Sequence, residues 1–407
     1  MSDKTLLLQP LEHTNQDGFN RRKCKLIYLN GNQTVAEKVL WYEIPEVVPI
    51  PNDDDCDGFL TSILMDAMQE GRDINVLGSV SHELLSNLVE YQGAWHKWLP
   101  KIYQVIEISV ENIRQKEEAH PGAVCAFSGG VDANFSVWRH SQKKNSYRSQ
   151  DIKLCVMVHG FDIPLHDNNA FQQAFHTAQQ TLADINIPLY EARTNFRDIS
   201  KLSWEHTFTS ALTSVLSNFR LMAGNCLIGS SSPYDGLTLP WGSNPVTDHL
   251  LSSGVFKILH DGATHNRLEK IAAISEWKEG SDNLRVCWSG KDKHKNCGKC
   301  EKCLRTMLCF LAQGQPVPKS FPQDHDLSEK LSKIQIRNAA VRSEWRQIQN
   351  YAISHNISGS WREAVDKLLN QKPSLNSKRL LDVVLPYHSG RRQFVRKLKK
   401  MLSKRPS

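Results

Sequence analysis

No apolar run in this chain approaches the roughly 18 residues that would cross a bilayer as a helix. The opening residues, Met1-Ser2-Asp3-Lys4-Thr5, lack the charged, apolar and small-residue zones of a secretory signal. A cytoplasmic location is therefore expected. The ten cysteines should stay reduced there, so clustered ones point to metal and scattered ones to burial. Acidic residues are absent from Ser389 to Ser407, where eight basic ones gather (Arg391, Arg392, Arg396, Lys397, Lys399, Lys400, Lys404 and Arg405). The whole chain carries +7, so residues 1–388 sum to −1. The body thus offers no global electrostatic case for nucleic-acid binding. Apolar residues at 40% and charged residues at 23% exclude a disordered chain. At 407 residues the chain exceeds one ordinary core, and two or three domains are expected.

Three blocks emerge, with no convincing repeat. Residues 1–115 mix strand-like runs at 5–8, 25–28 and 39–44 with helical stretches at 60–70 and 82–91, an α+β pattern of unknown role. Residues 49–57, with Pro49 and Pro51 ahead of an acidic run, read as a loop whose aspartates are solvated rather than metal-binding. Residues 116–315 alternate apolar strand candidates (123–127, 154–158, 189–192 and 226–230) with helical ones (134–140 and 169–184). That alternation predicts an α/β fold with a parallel sheet covered on both faces. Residues 316–407 read as a helical appendage (327–333, 343–354 and 361–369) that ends in the basic tail.

Two constellations carry chemistry. In Cys125-Ala126-Phe127-Ser128-Gly129-Gly130-Val131-Asp132 a Ser-Gly-Gly turn lies between a predicted strand and a predicted helix. Two glycines let backbone approach a phosphate and aim successive N–H groups at it, and a helix N-terminus adds positive potential. The spacing is neither a Walker loop nor a Gly-x-Gly-x-x-Gly dinucleotide turn. A similar fragment, Ser289-Gly290-Lys291-Asp292, follows no clean strand and is read as coincidence. The second constellation is Cys287, Cys297, Cys300 and Cys303, spaced Cys-x9-Cys-x2-Cys-x2-Cys. It suits tetrahedral zinc, with His294 the alternative to Cys287. Gly298 permits the turn, and Lys295, Lys299, Lys302 and Arg305 are available to offset the thiolate charge. Four protein ligands leave no open position, so the metal is expected to be structural. Cys309 falls on the apolar face of the next helix and reads as core.

Further candidates sit in the second block. Arg267 and Lys270, three apart in a first helical turn, oppose the helix dipole unless they reach an anion such as pyrophosphate; a solvated face is the alternative. Val158 and His159 end the second strand, where ligands collect in open α/β sheets, although the residues favour a satisfied structural histidine. His260-Asp261-Gly262 and Ser230-Ser231-Ser232 are similar loop candidates. In the tail, Phe394, Leu398, Met401 and Leu402 share a helical face among basic residues. That pattern suits acidic lipid, RNA or an acidic partner, or simply a solvated end.

The glycine turn resembles the PP-loop Ser-Gly-Gly-x-Asp-Ser of N-type ATP pyrophosphatases, with Ala133 in place of the final Ser. Adding the cysteines about 155 residues later, the stretch 120–312 closely resembles the 7-cyano-7-deazaguanine synthase family. The resemblance implies a HUP-like nucleotide-binding domain with a zinc knuckle beside the active site. It assigns residues 127–132 (Phe127 to Asp132) to ATP, Ser128 and Asp132 to the chemistry, and Asp132 to the vicinity of magnesium. The implied reaction is adenylation of a carboxylate or amide oxygen on a small-molecule or peptide substrate, then attack by ammonia or another amine, with AMP and pyrophosphate released. Alternatives are a PP-loop RNA-modifying enzyme and a non-catalytic nucleotide-binding scaffold. If the tail recruits anionic partners, deleting residues 389–407 should weaken RNA or anionic-vesicle binding and flatten its salt dependence; unchanged binding would return the tail to a solvated end.

Overall fold

A computed structural model describes residues 3–115, 118–144, 146–287, 290–323, 326–336 and 339–371. The basic tail and the Ser289 fragment lie outside or at the edge of these residues. The chain opens with three antiparallel strands, β1 (Lys4–Gln16), β2 (Phe19–Asn30) and β3 (Gln33–Pro45), followed by α1 (Asp57–Glu70), β4 (Asp73–Ser81), α2 (His82–Trp98) and β5 (Ile108–Arg114). The alternating unit comes next: β6 (Ala123–Ala126), α3 (Val131–Ser141), β7 (Ile152–His159), α4 (Asn168–Ala183), β8 (Leu189–Thr194), α5 (Phe196–Ile199), α6 (Trp204–Leu216), β9 (Asn225–Gly229), β10 (Lys257–Asp261), α7 (Arg267–Ser275) and α8 (Lys278–Asp282). Helices α9 (Glu301–Ala312), α10 (Leu327–Ser332), α11 (Ala339–Ser354) and α12 (Ser360–Asn370) complete the described chain. No helix among the described residues is long and apolar enough to cross a membrane.

Among the described residues, the ten strands form one sheet in the order β10-β9-β6-β7-β8-β3-β2-β1-β4-β5. Strands β6 to β10 pair only in parallel with one another. Their spatial order runs third, second, first, fourth, fifth, so the direction of winding reverses between β6 and β9. The fold is thus α/β with a large, mostly parallel sheet. Strand alternation sorts side chains to two cores. Val124, Val156, Cys226 and Ile228 face the core shared with α1, α2 and α6, whereas Ala123, Cys125, Phe127, Cys155 and Met157 face α4. Burial on both sides explains why β6 and β7 read as unbroken apolar runs.

The first block is joined to the second edge to edge, because β3 pairs with β8 through Tyr42↔Thr194 and Glu43↔Arg193. Its acidic run departs from the solvated expectation. Asp55 and Asp57 are buried. Arg114 lies 3.1 Å from Asp55 and 2.8 Å from Asp57, Arg220 pairs with Asp55, and Arg22 donates to the carbonyls of Asn52 and Asp55. The arginines come from two distant strands and from the turn that follows α6, so only the fold reveals them. In the third block, α10, α11 and α12 share a core with α7 and α9 that includes Cys309, as its apolar spacing predicted. Removing one partner of a buried ion pair costs about 3–5 kcal/mol. Arg220→Met should fall near the lower end, because Arg114 still faces Asp55. An unchanged midpoint in urea unfolding would show that the network contributes nothing net.

Candidate functional site

In open α/β sheets, ligands bind beyond the carboxyl ends of the strands where the winding reverses. The Ser-Gly-Gly turn lies there, directly after β6 and facing the end of β9. The turn continues the sheet for one residue, with Phe127 N–H donating to Val156 O at 2.9 Å. Gly129 then takes φ +75°, in the left-handed region that disfavours any side chain. Gly130, extended, caps α3. The first-turn amides of α3 have no acceptor within the helix, and Ser128 is exposed beside them. Gly229 closes the opposite wall, where a β-carbon would lie 2.8 Å from the Asp132 carbonyl oxygen.

Asp132 is the anion that Arg267 and Lys270 meet. The buried Lys270 ammonium lies 2.8 Å from Asp132 Oδ1 and also donates to Ser230 O, while Arg267 Nη2 is 3.8 Å from Oδ2. Burial opposes the charge on Asp132, yet Lys270 and Arg267 together hold its carboxyl below the ordinary range. Arg267 is shared with Glu344 at 2.9 Å, on α11. The capping box of Asn266 and Glu269 starts α7 where both cations face the turn.

Further charged residues gather around the crevice. Asp162 follows β7; burial raises its pKa against the pull of Arg285, Lys302 and Arg197. Lys302 is pushed down to about 8 by burial and by Arg267 and Arg305. The sequence offers Lys302 and Arg305 as charges that offset the cysteine thiolates, and the fold gives each further partners. In the fold Arg305 engages Glu301 at 3.1 Å and Glu344, and Lys302 influences Asp132 and Asp162. The one sequence signal for Lys302 was its place between Cys300 and Cys303. Beside Ser128 and Gly129 opens a cavity of about 450 Å³, with Arg285, His294, Lys295 and Lys319 in its wall.

The remaining sequence candidates fare unevenly. Val158 and His159 stand at the end of β7, but the His159 ring stacks on Phe171 at 4.2 Å and its Nε2 lies 3.0 Å from Pro164 O. That packing gives His159 a structural task. His260 lies 2.7 Å from Asp248. Asp261 receives Ser136, Arg139 and His140, and Ser230 donates to Ser232 O. These loops buttress the crevice.

The cysteines converge as their spacing predicted. The Sγ atoms of Cys287, Cys297, Cys300 and Cys303 all lie within 4.8 Å of one another. The Cys297–Cys303 and Cys300–Cys287 separations are 3.9 and 3.6 Å. Four sulfurs at about 2.3 Å from one tetrahedral ion would stand about 3.8 Å apart, so the cluster could hold a structural metal. His294 lines the neighbouring cavity and is not a member. Gly298 turns at φ +64°, where a β-carbon would meet Pro322 Cγ at 2.7 Å.

No protein-family model, curated protein or solved structure matches this chain.

Metal binding at such a site is folding energy. Protein purified without added metal should therefore carry about one ion per chain. Cys300→Ser should lose it and melt at a lower temperature; a metal-free wild type of equal stability would reject the site.

Proposed function

We propose that the chain is an ATP-using enzyme of the PP-loop pyrophosphatase class, with ATP as a substrate of the crevice between β6 and β9. The observation that carries this reading is the Ser128-Gly129-Gly130 turn. It lies at the reversal of the sheet, with a left-handed glycine, a helix start behind it and cations gathered around it. A turn without a Walker lysine suits gripping the β and γ phosphates as a leaving group. Ser128 offers a hydroxyl donor and the glycines offer close backbone contact. Lys302 supplies positive charge where negative charge accumulates as the bond at the α phosphorus breaks.

The resulting reaction is attack of a carboxylate or amide oxygen on the α phosphorus, with pyrophosphate expelled. The adenylated carbon is then attacked by ammonia or another amine, and AMP leaves with the acceptor's former oxygen. Magnesium accompanying ATP would neutralise the departing pyrophosphate. Asp132, two residues beyond the turn, would reach it indirectly, with Lys270 on one of its oxygens and Arg267 near the other. The metal of the four-cysteine cluster is read as zinc, held by Cys287, Cys297, Cys300 and Cys303. With every position filled by thiolate, it serves structure and not catalysis.

Because the acceptor is unknown, cell extract serves as its source. With ATP added, purified protein should generate AMP and pyrophosphate. Asp132→Asn, which keeps the shape near Lys270 but removes the charge, should lower that rate by about 10²-fold or more while metal content stays unchanged. Production of ADP and phosphate, indifferent to Asp132→Asn, would reject the reading.

A further inference from the structure

Residues 284–287 run from the glycine turn to the first cysteine of the cluster, and both ends of this segment are fastened. On the turn side, the Arg285 backbone N–H donates to Gly129 O at 2.8 Å, and its Nε donates to Ser128 O at 3.3 Å. The same guanidinium reaches Lys293 O through Nη1 at 3.3 Å. On the cluster side, Asn296, which precedes Cys297, accepts the Val286 N–H at 2.9 Å and donates to Leu284 O at 2.7 Å. Arg285 therefore sits between two clasps, one on the turn and one on the cysteine knuckle.

The peptide plane makes this contact consequential. In a trans peptide, the carbonyl of one residue and the N–H of the next share a rigid plane and point in opposite directions. Pinning the carbonyls of Ser128 and Gly129 toward Arg285 therefore aims the N–H groups of Gly129 and Gly130 away from it. Two successive amides directed to one side form an anion-binding concavity. Gly129, at φ +75°, has little conformational preference of its own to maintain that direction.

We infer that Arg285 is a positioning residue through which the four-cysteine cluster sets how tightly the glycine turn holds a polyphosphate. The inference rests on the phosphate reading of the turn. It adds that the metal and the nucleotide are thermodynamically linked. A coupling between two sites is reciprocal and typically worth about 5–150-fold in affinity, so each ligand should sense the other.

Isothermal titration of the full-length, metal-loaded protein with magnesium-ATP tests this. Arg285→Ala should keep its metal and bind ATP at least about tenfold more weakly. Arg285→Lys, able to restore one of the two side-chain bonds, should fall between. Replacing the native metal with cobalt(II) adds a spectroscopic readout: ATP should shift the visible absorption bands of the wild type and leave those of Arg285→Ala unmoved. A purely structural arginine would not produce that difference. Wild-type binding with equal affinity in Arg285→Ala overturns the inference alone. A wild type that binds no ATP removes the phosphate reading and the inference together. Should Arg285→Ala fail to fold, the cobalt-substituted wild type decides, and bands unmoved at saturating ATP overturn the linkage.

Discussion

The crevice is organised around one buried ammonium. Lys270 is pinned between the Asp132 carboxylate and the Ser230 carbonyl, tying α7 to the first turn of α3 and to the loop after β9. An unpaired buried lysine would be strongly penalised, and so would an unpaired Asp132. Together they satisfy each other at the point where the sheet reverses its winding. The close approach of Gly229 to the Asp132 backbone leaves no room for a side chain at position 229. The position of Asp132 is consequently fixed by three elements together, α3, α7 and the loop after β9.

The cysteine knuckle and the third block extend the same principle outward. Arg267 couples Asp132 to Glu344 on α11. Arg305, on the helix that leaves the cluster, also reaches Glu344, and Trp345 Nε1 donates to Glu301 Oε1 at 3.0 Å. Residues 339–371, which carry no motif, thus support the charged wall of the site through α9 and α7. The first block is bound in by different means, the continuous β3–β8 pairing and the Arg22, Arg114 and Arg220 network around Asp55 and Asp57. Buried ion clusters of this kind need complete pairing, because each member left alone costs more than the pair contributes.

Much was legible without coordinates. Apolar runs such as 123–126 and 154–158, short and bounded by turn residues, fit strands buried on both faces. Glycine at 129 and at 298 marks backbone that a side chain would strain. Cysteines three apart can surround one ion only in a tight turn, so the knuckle was visible from spacing alone. Other features depended on distance in space. The aspartates at 55 and 57 look like a solvated loop until arginines 33 to 165 residues away close over them. Arg285 belongs to no local pattern, and the meeting of Lys302 with Asp162 is not written in sequence order, because an ion cluster is selected by proximity and dielectric. Residue type and spacing determined which segments could be strand, turn or metal knuckle. Only the tertiary structure decided that Lys270 would neutralise Asp132, that Arg285 would clasp the glycine turn, and that ten strands would make one sheet, since long-range charge pairing and edge pairing are settled by what the packed core brings within reach.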